Sequence, residues 1–165
     1  MQTYKEGLLS AVGHDVLLSV GTFSIDATPE RVIATFDPAT LKVECATKAG
    51  VPDRAALSDK DKRTIEGYVA QDILHPRRYP RIKFQSTSIE REGDGWEIEG
   101  DLELHGRTRK VRATVELRDG EVVTKVRLNQ TDFGITPFRA MLGALRIQSQ
   151  VDVELTVPRA ALEGA

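Results

Sequence analysis

Leu145-Arg146-Ile147-Gln148-Ser149-Gln150-Val151-Asp152-Val153-Glu154-Leu155-Thr156-Val157 decides the fold class of this chain. Its odd-numbered residues are apolar or small, and its even-numbered residues are polar. Successive strand side chains point to opposite faces, so this is a long strand with one dry face and one wet face. Earlier segments repeat the pattern. After the Asp119-Gly120 turn come Val122, Thr124, Val126 and Leu128. Before it, Val111, Ala113, Val115 and Leu117 alternate with Lys110, Arg112, Thr114 and Glu116. Trp96, Ile98, Gly100, Leu102 and Leu104 alternate with Glu97, Glu99, Asp101 and Glu103. The acids of one strand then face the bases of the next across the wet side. Gly93-Asp94-Gly95 and His105-Gly106-Arg107-Thr108 are the connecting turns. A sheet of such strands curls over its dry face or closes on itself, which predicts a barrel or a sandwich.

Towards the N-terminus, Val16–Ile25 reads as one strand with Val16, Leu18 and Val20 on one face and Leu17, Ser19, Gly21 and Phe23 on the other. Arg31–Phe36 and Leu41–Cys45 are further strands around the Asp37-Pro38 turn. Residues 46–57 lose strand character. Ser58 then caps a helix with Asp59 and Asp61 in its first turn, and Ile65, Tyr68, Val69 and Ile73 share one face until Pro76 ends it. Ile82, Phe84, Ser86 and Ser88 begin the next dry face. The segment Asn129–Ala144 breaks the rhythm and carries Phe133, Phe138, Met141 and Leu142; an apolar loop of this length is often functional.

Composition narrows the function classes. The 165 residues suit a single domain spanning 1–165, with no repeat or linker to divide it. Net charge is −2 with both signs mixed, and aromatic content is 5%, so no nucleic-acid surface is expected. Cys45 is the only cysteine, which rules out an intrachain disulfide, and its alternation with Val43 predicts a buried, inert thiol. Gly13, His14 and Asp15 interrupt the apolar stretch Leu8–Val20, so no export signal is expected there. No run approaches the roughly 20 apolar residues of a membrane helix. The sequence reads as a cytoplasmic protein without stable membrane insertion.

Several blocks carry a family likeness. Gly13-His14-Asp15 precedes a strand and Gly21-Thr22-Phe23. Later come Tyr79-Pro80-Arg81-Ile82-Lys83-Phe84-Gln85-Ser86 and Gly100-Asp101-Leu102-Glu103-Leu104-His105-Gly106-Arg107-Thr108. Arg139–Leu145 leads into the final strand. In this order and spacing they resemble the YceI-like family of polyisoprenoid-binding proteins over nearly the whole chain. The resemblance implies an eight-stranded antiparallel, lipocalin-like barrel, all β with one amphipathic helix packed on it. It also implies a long isoprenoid or fatty-acid-type chain held in the lumen, and a homodimer.

The residues themselves leave two outcomes open. The dry faces include Ser86, Ser88, Gly100, Ala113, Thr124 and Ser149, with Phe84 and Trp96 as the main large inward groups. A barrel of about eight strands lined this way keeps room for a ligand, since interiors do not stay empty. An apolar tail entering it gains roughly 0.8 kcal/mol per buried methylene. Alternatively the sheet flattens and these small residues pack against the helix or the 130–144 loop. At the barrel entry, His14 beside Asp15 is a candidate headgroup contact, a backbone-bonded structural residue, or a base. Arg139, amid Phe138, Met141 and Leu142, either pairs with a headgroup or turns to solvent or Asp132. Phe133, Phe138, Met141 and Leu142 either touch the tail or plug the barrel end. His14, His75 and His105 match no metal signature, and no nucleophile elbow, phosphate loop or dinucleotide fingerprint occurs. The expectation is therefore a non-catalytic carrier of an isoprenoid or other long-chain lipid, with no metal and no cofactor. A protein-interaction module with a packed barrel is the alternative, and a small-molecule enzyme is a third reading.

Overall fold

The strand read first from the sequence is the hub of a curled antiparallel sheet. A computed structural model describes residues 1–6, 15–140 and 145–159. Its strands are β1 (Gln2–Glu6), β2 (Asp15–Val20), β3 (Phe23–Ala27), β4 (Val32–Phe36), β5 (Leu41–Lys48) and β6 (Val51–Asp53), then β7 (Ile82–Glu92), β8 (Gly95–Leu104), β9 (Arg107–Arg118), β10 (Glu121–Asn129), β11 (Arg139–Ala140) and β12 (Leu145–Pro158). The helix α1 (Asp59–Tyr68) continues as a π-helical turn over Val69–Leu74. No helix among the described residues is long and apolar enough to cross a membrane.

The hydrogen-bonded order is β3-β4-β7-β8-β9-β10-β12-β1-β2-β5-β6, with β11 on β12. The two ends of this order are one hairpin. β2 runs on into β3 through Gly21-Thr22, and β4 runs on into β5 through a short 3₁₀ turn at Pro38–Thr40. Backbone bonds from Gly21 N–H to Thr40 O (3.2 Å) and from Asp37 N–H to Thr22 O (2.9 Å) carry the pairing across the junction. Counting β2–β3 and β4–β5 as one ribbon each, and leaving aside the three-residue β6 and two-residue β11, the described wall has eight longer ribbons, as many as the expected barrel. The sheet curls as a half-barrel whose two ends are joined by chain continuity, with no ladder among the described residues between β3 and the β5–β6 end. The expected single strand over Val16–Ile25 is thus split, and its faces exchange at the split. Leu18 opposes Val43, but beyond the bend Phe23 opposes Phe36, which in turn opposes Ile82. Phe23 therefore shares the face of Ile82 and Phe84 and not that of Leu17 and Ser19.

Two further departures are local. Residues 46–57, expected to lose strand character, include the end of β5 and all of β6. In β7 a bulge follows Ser86: Ser86 opposes Gly100 while Ser88 opposes Glu99, and Ile89 opposes Ile98. The extra residue turns Ser88 to the wet side and gives its inward place to Ile89. The expected charge ladder does form outside, with Arg112 on Glu97 and Glu99 and Lys110 3.8 Å from Asp101. Lys125–Glu154 (3.9 Å) and Arg127–Asp152 (2.6 Å) extend it across β10 and β12.

Helix α1 starts where a capping box is written. Ser58 Oγ accepts from the Asp61 N–H at 3.2 Å, and the Asp61 carboxylate accepts from the Ser58 N–H at 3.1 Å. The helix covers the part of β5 that has no strand beside it. Glu66 accepts the Val43 N–H at 2.9 Å, satisfying a donor on an otherwise open edge. Leu57, Ile65, Val69 and Leu74 pack against the buried Val16, Leu18, Leu41 and Val43. Cys45 is buried as expected.

Gly100 shows how tightly one part of the wall is made. A Cβ there would lie 2.5 Å from the Gln85 carbonyl and 2.5 Å from the Phe84 ring. The ring occupies the space that glycine leaves, so Gly100 does not widen the lumen. Gly100→Ala should lower stability by about 1–3 kcal/mol, read from urea unfolding at unchanged m. An unchanged midpoint would mean that Phe84 swings away freely.

Candidate functional site

The inner face follows from register, because directly opposed residues of an antiparallel pair share a face. One row across the wall is Trp96, Val115, Thr124 and Leu155. Another joins Leu102 to Phe84, Ala34 and Ile25. A third joins Leu128, Val151, Thr3, Val16 and Ala46. Between them stand Ile98 opposite Ala113 and Gly100 opposite Val111. Phe84, Ser86, Trp96, Gly100, Ala113 and Thr124 thus share one continuous surface, as the alternation predicts.

The two ends of this surface differ. At the end bearing the His105-Gly106 turn and the loop after β10, the lumen is plugged. Phe133, with 1% of its surface exposed, and Ile135 sit among Leu102, Leu104, Leu128 and Val151. Ile73 and Leu74 from the π-helical turn close the cluster. A short 3₁₀ turn, Gln130–Phe133, positions the plug. Asn129 caps it, and the buried Gln130 amide donates to the Gln148 carbonyl at 3.0 Å. Of the two roles open to Phe133, the structure gives it the plug.

Towards the far end, at the Gly93-Asp94 and Asp119-Gly120 turns, packing is incomplete. Trp96, Thr124 and Leu155 are half-buried although they point inward. Separately, on the edge pair β3–β4 beside Ile82, Phe36 and Ile25 are half-buried and Phe23 is 44% exposed, its ring 6.0 Å from that of Phe36. A barrel filled by its own side chains would bury such residues. An accessible apolar inner face opening at this end and along the free edge of β3 is the feature that could hold an apolar chain.

Sequence reasoning missed three contributors here. Phe23 was hidden by the face exchange, and Ile89 by the bulge. Arg91, which opposes Trp96, is an exposed cation on the inner side of the far rim. Counting back across the turn from Trp96 would have found it. Other expected residues play different parts. Ser86 Oγ accepts the Val32 N–H at 2.8 Å, so that oxygen is committed to the start of β4. Ser149 is half-buried on β12 near the plug. Phe138 packs on Tyr68 of α1 at 5.1 Å, outside the plug cluster. Arg139 is exposed in β11 and forms no bond with Asp132, which accepts instead from Asn129. His14, Met141 and Leu142 lie outside the described residues.

The structure also brings together His75 and His105, whose rings are 5.5 Å apart at the plugged end. Burial holds the His105 imidazole below the usual histidine pKa, opposed in part by its hydrogen bond to the Phe133 carbonyl. His75, Arg78 and Arg107 push it further down. No group of three or more metal-ligating side chains occurs among the described residues.

Comparison with known proteins agrees with this architecture. The family model described as a YceI-like domain matches residues 10–158. Protein YceI of Escherichia coli is 33% identical over 98 residues, 59% of this chain and 44% of that protein. The chain spans less than half the length of the curated relatives it matches. Among solved structures, a Campylobacter jejuni YceI protein superposes with a TM-score of 0.59 at 15% identity, covering 86% of this chain and 82% of that one. A polyisoprenoid-binding domain from Saccharophagus degradans gives 0.54 at 11% identity, covering 94% and 89%. Both show a shared fold.

Proposed function

The chain belongs to the YceI-like domain family, and from that premise we propose that it binds and carries an amphiphilic lipid through an apolar chain laid against its inner face. The observation that carries this reading is the half-buried, inward-facing Trp96, Thr124 and Leu155 beside Val115 at the far end. Covering such surface with an apolar chain is worth roughly 25 cal/mol per Å² removed from water, before the cost of ordering the chain. The plug of Phe133 and Ile135 sets the depth, so the chain occupies the far half of the barrel. Arg91 on the rim is placed to meet a phosphate or carbonyl headgroup. An isoprenoid is the favoured tail, because a neighbour of the same fold is described as binding polyisoprenoids. Carriage needs no covalent step. The packed plug favours the second reading, a ligand-free interaction module, at its own end only.

Trp96 is the only tryptophan in the chain and stands in the proposed site, so its emission reports occupancy. Protein purified without detergent should release an isoprenoid or other long-chain lipid into organic solvent, detected by mass spectrometry. The delipidated protein should shift its emission to the blue, saturably, on titration with a long-chain isoprenoid. No extracted lipid together with a flat titration would leave the interaction module standing.

A further inference from the structure

Outside the lumen, at the plugged end, a cleft of about 660 Å³ opens between the end of the π-helical turn and the β8–β9 turn. His75, Arg77, Arg78, Tyr79 and His105 line it. We propose that this cleft is a binding site for a phosphate group, either free phosphate or the head of a phosphorylated ligand. The proposal does not depend on an occupied lumen.

The two histidines stand where the backbone favours other residues. His75 has φ 47° just after the π-helical turn, and His105 has φ 54° as the first residue of a two-residue turn with Gly106 at φ 73°. Glycine or asparagine suits both positions better. The turns explain the conformation but not the imidazoles, and both residues line the same cleft with their rings 5.5 Å apart. Tyr79 fixes this arrangement: its ring lies 4.4 Å from that of His105 and against Gly106.

The charge is equally one-sided. Arg77, Arg78 and Arg107 pair with no carboxylate of the described residues, whereas Arg112 and Arg127 on the outer wall are ion-paired. Arg78 is held 5.3 Å over the Tyr79 ring, and Arg107 lies against Gly134. A planar guanidinium fixed in this way presents its N–H edge to an anion.

One atom distinguishes phosphate from a simple carboxylate. His105 Nε2 is buried and has no hydrogen-bond partner. Its ring donates through the other nitrogen to the Phe133 carbonyl, so in neutral His105 Nε2 is a free acceptor. Hydrogen phosphate supplies both a P–OH to donate to Nε2 and oxygens to accept from Arg77, Arg78 and His75. A carboxylate offers no donor at neutral pH. Burial and the neighbouring His75, Arg78 and Arg107 keep the empty site's imidazole neutral, which matches that division of roles.

The test follows the ring resonances of His75 and His105 by NMR in the whole chain during titration with inorganic phosphate, with acetate and with geranyl monophosphate. Phosphate should shift both rings saturably with a Kd of about 1 mM or tighter, and acetate should bind at least about tenfold more weakly. His105→Asn keeps a residue suited to the turn and should weaken phosphate at least about tenfold at an unchanged melting temperature; Arg78→Gln should act similarly. Geranyl monophosphate binding no tighter than phosphate identifies free phosphate as the ligand, and a gain of tenfold or more identifies a lipid head. Linear, unsaturated shifts, or full affinity in His105→Asn, overturn the proposal. Trp96 emission reads the lumen, so either reading can fail without the other.

Discussion

Phe133→Ala should destabilise the protein by about 3–5 kcal/mol, the range for removing a buried aromatic side chain that its surroundings cannot replace. The surroundings here are fixed on every side. Leu102 and Leu104 come from β8, Leu128 from β10, Val151 from β12, and Ile73 and Leu74 from the π-helical turn. Together they come from four different hydrogen-bonded elements, so the hole cannot collapse by moving one of them. Part of the cost is the lost burial and part the cavity itself. Phe133→Leu, which retains most of the volume, should cost clearly less. Urea titrations followed by far-ultraviolet circular dichroism read both values. A loss below about 1 kcal/mol for the alanine variant would show that the plug contributes little to holding the wall together. The same variant carries a functional consequence. Shortening the plug extends the lumen towards the helical end, so it should raise the preference for longer chains while lowering stability.

Much of this arrangement is written in the chain, because a period of two is a strong signal. In β8, β9, β10 and β12 the register keeps Trp96, Ile98, Ala113, Val115, Thr124, Leu128, Val151 and Leu155 on one surface as the alternation reads, although Leu117 on that face is 41% exposed and Val123 on the other is buried. The outer charges then pair as the sequence pairs them: Arg112 meets Glu99, and Asp101 meets Lys110. Helix α1 was equally legible, since Ser58 and Asp61 are spaced for a capping box and Ile65 and Val69 share a face. The failures occur where the period itself is interrupted. At Gly21-Thr22 the ribbon bends and exchanges faces, which sent Phe23 to the wrong side. After Ser86 the bulge does the same to Ser88 and Ile89. Neither event leaves a mark in apolar content alone, because a glycine or a threonine fits a regular strand as readily as a bent one. The plug was beyond reach for another reason. Loop residues 129–135 contain apolar side chains, but only long-range contacts decide whether Phe133 enters the barrel or covers its mouth. The convergence of His75 and His105 is of that kind too, as thirty residues and two strands separate them. Gly100 illustrates a subtler limit. A small residue reads as empty volume in sequence, yet the Phe84 ring had already taken the space.

Thr124→Trp should weaken isoprenoid binding by roughly thirtyfold or more while leaving the fold intact. Thr124 stands on β10 between Val115 and Leu155 in the transverse row that includes Trp96. It is half-buried and inward, so an added indole projects into the far half of the lumen instead of into the plug. Overpacking a filled core commonly costs 1–3 kcal/mol because neighbours must leave their rotamers. A lumen with room accepts the ring, and the cost should then stay below about 1 kcal/mol. The ligand loses that room. Displacing contact with about three to four methylenes removes roughly 2–3 kcal/mol, which corresponds to a weakening of roughly thirtyfold to more than a hundredfold. The two measurements together decide the matter. Urea unfolding reports whether the space exists, and a fluorescent long-chain probe whose own emission lies outside the tryptophan band reports whether a chain uses it. Stability lost without any change in probe affinity would mean that the far half is already filled and that the probe binds elsewhere. Stability kept and affinity kept would place the chain away from Thr124, outside the far half of the barrel. Only stability kept with affinity lost supports a lipid lying along the inner wall.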